Sequence, residues 1–95
     1  MENVHAQQIL SFPAVFEPAP EGGYNVSFPA FSGCVTFGST FEKAKQKAHE
    51  VLELWLEELA EQHIQIPAHA HRPIIDEVMA VVPEKASVQY ATSQR

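Results

Sequence analysis

The sequence predicts an α+β fold: an antiparallel three-stranded meander, one long packed helix and a fourth strand, in the order β-β-β-α-β. Three observations carry this expectation. Between Ile9 and Phe28, apolar residues alternate with period two in two runs, and a third run rich in β-formers follows at Cys34 to Phe37, each set off by turn residues. Ser39, Thr40, Phe41 and Glu42 have the spacing of a capping box, which marks a helix start. From Phe41 to Leu59, apolar residues then recur every three or four positions, as the buried stripe of a helix does.

The first strand is expected over residues 9–17, with Leu10, Phe12, Ala14 and Phe16 on one face and Ser11, Pro13, Val15 and Glu17 on the other. Pro13 has no amide proton for a ladder, so this strand belongs at a sheet edge or carries a bulge. Pro18, Pro20, Gly22 and Gly23 form a turn signal. Tyr24, Val26 and Phe28 alternate with Asn25 and Ser27, the pattern of a half-buried second strand. Residues 29–33 are a short connection, and Cys34, Val35, Thr36 and Phe37 a third strand rich in β-formers. Connections this short favour antiparallel neighbours.

The helix is expected to run from the Ser39 cap to Gln62 or His63. Its stripe is Phe41, Ala44, Ala48, Val51, Leu52, Trp55, Leu56 and Leu59. The opposite face carries Glu50, Glu53, Glu57 and Glu61, whereas Lys43, Lys45 and Lys47 lie near the start. That polarity opposes the helix dipole, which favours acid early and base late. An acidic helix end kept against this preference is a candidate contact for a basic partner; a solvated helix face is the plainer account. Residues 63–73 form a connector. Residues 77–82 read as the fourth strand, stopped by Pro83. The expected organisation is a flexible N-terminus over 1–8, one domain over 9–83 and a flexible tail over 84–95.

Composition narrows the function classes. A chain of 95 residues has room for one domain with a modest core. Apolar residues make up 45% and charged residues 19%, a globular balance. A formal net charge of −6 opposes binding to a phosphate backbone and suits a basic protein partner. Cys34, the single cysteine, permits no internal disulfide and no cysteine-based zinc site within one chain. With no secretory leader and no apolar run of membrane-spanning length, a cytoplasmic location is expected.

The ordered motifs resemble one family. Phe12 to Glu17 is followed by Gly22-Gly23-Tyr24, Phe28-Pro29 and Ser32-Gly33-Cys34-Val35-Thr36. Gly38-Ser39-Thr40, Glu42, Ala48 and Leu54-Trp55-Leu56 complete the set. Together they are similar to the HicB-like antitoxin domain over about 50 residues. That resemblance implies a partial RNase H-like fold and a non-catalytic protein that neutralises a small basic HicA-like RNA-cleaving toxin. It also implies self-association as a homodimer or tetramer. Full-length relatives often add a DNA-binding segment. Here 13 residues follow Val82, too few for one, so no direct nucleic-acid contact is expected. The alternatives are an orphan oligomeric scaffold and a degenerate metal-dependent nuclease.

The chemistry-bearing residues give the nuclease little support. Such a site needs carboxylates converging on metal ions, yet the interior of the first strand has none. Glu17 lies at its end, and Asp76 and Glu77 precede the last strand. His69 and His71 have chelating spacing but fall in a connector, with His63 nearby and His49 on the helix. Cys34 has no neighbouring base and reads as a small buried hydrophobe. No catalytic residue, metal or cofactor is therefore assigned. The core is expected to rest on Phe12, Phe16, Tyr24, Phe28, Val51, Trp55 and Leu59. One helix covers one face of a sheet only, so Val78, Ala80 and Val82 of the last strand are candidates for pairing with a second copy.

Overall fold

The computed structural model describes residues 8–68 and 72–90. Three strands, β1 (Val15–Pro18), β2 (Tyr24–Phe28) and β3 (Phe31–Gly38), form an antiparallel sheet in the order β1-β2-β3, and the helix α1 (Phe41–Glu61) packs on one of its faces. This is the α+β meander with one helix that the alternation and the helical stripe predict.

The strand limits differ from the expected ones for local reasons. β1 begins at Val15 and not at residue 9, because its ladder opens opposite Ser27 and β2 ends one residue later at Phe28. Residues before Val15 have no strand beside them, and Pro13 has no amide to donate. β3 begins three residues early. Phe28 pairs with Phe31, while Ser27 pairs with Val35, so Ser32, Gly33 and Cys34 are accommodated in a bulge. Gly33 takes φ +92° there. The bulge turns both Phe31 and Cys34 into the core, where each is buried.

The register assigns every strand residue to a face. Phe16, Val26 and Thr36 form one cross-strand row, and Pro18, Tyr24 and Gly38 the next. These rows lie under α1. The alternate rows, Val15–Ser27–Val35 and Glu17–Asn25–Phe37, lie on the helix-free face. Among the described residues, the buried apolar core is Val26, Phe28, Phe31, Cys34, Ala44 and Ala48. Phe12, Phe16, Tyr24, Val51, Trp55 and Leu59 are partly buried and pack against them.

Side-chain size grades along the helix. Ala44 and Ala48 bring its N-terminal half close to the sheet, and Val51, Leu52, Trp55 and Leu56 fill the wider space beyond. Two aromatic groups hold the ends. Phe41 meets Phe16 at 5.1 Å and Tyr24 at 5.6 Å between ring centroids. Phe31 meets Phe12 at 5.2 Å and Trp55 at 6.2 Å. Tilted and edge-on aromatic pairs at such distances add to simple burial.

The helix caps depart from expectation at the start. Thr40, and not Ser39, is the N-cap: it is the last extended residue, and its side-chain oxygen accepts from the Lys43 amide at 3.1 Å. The third helical residue is then Lys43, which cannot return the second bond of a capping box. Glu42 instead lies in the first turn, where the dipole favours a carboxylate. Thr40→Ala is therefore expected to cost about 1 kcal/mol, and Ser39→Ala close to nothing, in denaturant unfolding. Equal costs would restore Ser39 as the cap. At the other end His63 takes φ +59° and donates its amide to Ala60 O, while Ile64 donates to Leu59 O at 2.9 Å. These two bonds make a Schellman closure.

The expected fourth strand is not formed. Residues 77–82 form no strand and have no ladder partner among the described residues. β-forming composition favours an extended backbone, but a strand also needs an edge to pair with. Here the chain leaves the body instead. Arg72 donates to Ser11, to Oγ at 2.9 Å and to the carbonyl oxygen at 3.4 Å. Beyond that tether the chain runs outward as an exposed arm and turns at Pro83, whose carbonyl accepts from the Ala86 amide. The described chain measures 70 × 29 × 19 Å, long for a small domain because of this arm. Residues 1–7 and 91–95, nearly all of the expected flexible N-terminus and the last five residues of the expected tail, lie outside the described residues.

Candidate functional site

Three exposed surfaces have the composition of contact sites. The first is the outer face of α1. Glu50, Glu53, Glu57 and Glu61 are all exposed there, as the helical period predicts. His49 Nε2 lies 3.3 Å from a Glu53 carboxylate oxygen, one turn away. Gln62 donates to Glu58 at 2.6 Å. The last turn holds no basic residue, so the carboxylates face solvent beside the negative end of the dipole. Leu54 adds what the charge pattern alone does not disclose. It is 64% exposed, and helical spacing sets Glu50, Glu57 and Glu58 around it at one turn's distance. An apolar side chain ringed by carboxylates has the layout of a contact centre with a charged rim.

The second surface is the helix-free face of the sheet. Glu17, Asn25, Ser27, Val35 and Phe37 line a shallow depression. Val35 is 58% exposed and Phe37 43%. Phe37 is also tied to the first turn, because a Cβ on Gly23 would collide with its ring.

The third surface is the arm. Ile74, Ile75, Val78, Met79 and Val81 are between 84% and 97% exposed, and Val82 is 54% exposed. Exposed apolar residues scattered singly are ordinary; this many along one segment are not.

The residues weighed for catalysis do not come together. Glu17 lies on the helix-free face, whereas Asp76 and Glu77 are exposed on the arm, where Asp76 accepts from the Glu77 amide. Among the described residues no three of His, Cys, Asp or Glu gather in a metal-holding group. His69 and His71 lie outside the described residues, and His63 is engaged in closing the helix. Cys34 is sealed in the core, and burial pushes its thiol pKa up, away from the reactive thiolate. Among the described residues, no helix is long and apolar enough to cross a membrane.

Sheet and helix define a small α+β domain. Comparison with known proteins makes the class specific. The family model described as HicB_like antitoxin of bacterial toxin-antitoxin system matches residues 12–89. The UPF0150 protein ssr1765 of Synechocystis is 36% identical over 64 residues, covering 67% of this chain and 81% of that protein. A second Synechocystis protein, UPF0150 protein ssl0259, is 32% identical over 59 residues, covering 62% of this chain and 81% of its own length. Antitoxin HicB 1 of Photorhabdus laumondii is 38% identical over 58 residues; the match takes in 61% of this chain and 37% of that longer protein. The chain belongs to the HicB-like antitoxin family.

Proposed function

We propose that this protein is a non-catalytic antitoxin that binds and masks a small basic RNA-cleaving toxin of the HicA type, without contacting DNA or RNA itself. Family membership supports the antitoxin role. The observation that favours a basic partner is the carboxylate row on α1, carried by a chain of net charge −6. Glu50, Glu53, Glu57 and Glu61 steer a cationic protein toward the helix, and Leu54 supplies an apolar anchor at the centre of the contact. The domain, over residues 9–83, acts in the cytoplasm as a partial RNase H-like unit whose chemistry is occlusion.

The test separates steering from anchoring. Glu53→Lys with Glu57→Lys is expected to weaken toxin binding more than tenfold, chiefly through slower association, with a shallower salt dependence than the parent. Leu54→Asp is expected to weaken it chiefly through faster dissociation. All three positions are exposed, so the fold is unaffected. Unchanged affinity in the charge-reversed protein would remove α1 from the interface.

A further inference from the structure

We propose that Lys43 and Lys47 set the orientation of the toxin on α1: cations of the toxin lie beside Glu50, Glu57 and Glu61, and a carboxylate of the toxin lies beside the two lysines. The inference rests on the proposed antitoxin role. It adds which way the partner lies and what charge pattern the partner presents.

Lys43, Lys47, Glu50, Leu54, Glu57 and Glu61 are spaced four, three, four, three and four residues apart, so they fall in one row along the helix. All six are exposed. At 1.5 Å of rise per residue the row is about 27 Å long. Its first two positions are cations, and its carboxylates surround and follow Leu54. Among the described residues, the one contact of ion-pair length on α1 joins His49 to Glu53, off this row, so neither end of the row is neutralised by the other.

The lysines stand against local stability. With Thr40 as the N-cap, Lys43 is the third helical residue. A glutamate there would complete a capping box and meet the positive end of the helix dipole; a lysine does neither. Lys45 has an account of its own, because its ammonium lies 5.7 Å from the centre of the Phe41 ring. No such ring contact engages Lys43 or Lys47 among the described residues. Departures from local preference of this kind are expected where function requires them.

Orientation supplies the requirement. In a chain of net charge −6 that meets a basic partner, cations on the contact row work against simple attraction. They work for it when the partner sets a carboxylate opposite them and its own cations opposite the glutamates. Turned end for end, the same partner meets like charge at both ends of the row. Repulsion in the wrong arrangement gives specificity as surely as attraction in the right one.

The test uses the whole chain and the purified basic toxin encoded beside its gene, carrying a substitution that stops cleavage. Binding kinetics and thermal unfolding are the readouts. Lys43→Glu with Lys47→Glu is expected to unfold at the parent's temperature or higher, because residue 43 gains the capping box, while toxin binding weakens about tenfold through faster dissociation. Lys45→Glu with Lys85→Glu makes the same change in net charge away from the row, and is expected to bind at least as tightly as the parent. A fold that holds while binding falls separates orientation from unfolding. If the first variant binds as tightly as the second, the inference is overturned, while the antitoxin role, read from the parent's binding, stands. Equal weakening in both variants also overturns it, because net charge and not position then governs binding. A parent that does not bind the toxin overturns the role and the inference together.

Discussion

Replacing Phe31 with alanine is expected to cost about 3–5 kcal/mol of folding stability. The ring is buried and is held between Phe12 and Trp55. It therefore joins the segment before β1, the start of β3 and the middle of α1. Small domains hold about 5–15 kcal/mol in all, so the variant is expected to be largely unfolded at moderate temperature. Urea unfolding followed by circular dichroism measures this, with Ile75→Ala on the exposed arm as a near-silent control. A cost below about 1 kcal/mol would mean that Phe31 does not sit at this junction.

The second large effect is expected at Gly38. It is buried where β3 passes beneath the first turn of α1, and a Cβ there would collide with the backbone nitrogen and Cα of Ala44. Gly38 is not among the positive-φ glycines, so the cost of Gly38→Ala is steric and not conformational. Backbone cannot rotate aside as a side chain can. The helix must lift, and its contact through Ala44 and Ala48 loosens. A loss of about 1–3 kcal/mol, the range for overpacking, is expected at minimum. Gly22→Ala is the informative comparison. Its φ is +106° but nothing lies within 4 Å of the added Cβ, so that variant reports backbone strain alone. A Gly38→Ala protein as stable as the parent would place the helix farther from the sheet.

What could be read from the sequence divides along physical lines. β2 and α1 are stated by local periodicity, because each buries one face against the rest of the molecule: Tyr24, Val26 and Phe28 in the strand, Ala44 to Leu59 in the helix. The start of β1 is not local. It depends on where β2 ends, which no residue before Val15 records. Phe31 fell within a presumed connection because the Gly33 bulge, a feature of pairing register, restores strand geometry after the turn. The cap shifted from Ser39 to Thr40 because both are capping residues and the strand's exit angle chooses between them. The acidic row on α1 was legible as charge at helical spacing. The exposure of Leu54 within it was not, because the same Leu-Trp-Leu run also supplies the core. The segment over 77–82 has strand-forming composition, but composition alone makes no strand, and no ladder partner meets it among the described residues.

Family membership and an exposed acidic helix face support the proposed role, in which the protein acts by covering a basic partner. The direct measurement is a titration of this protein into the RNA-cleaving reaction of a purified small basic HicA-type toxin encoded beside its gene. The account predicts loss of cleavage at a fixed stoichiometry, recovery of both chains in one complex, and weaker inhibition as salt rises. Undiminished cleavage with no complex, or cleavage of RNA by this chain alone with a divalent metal, would contradict it.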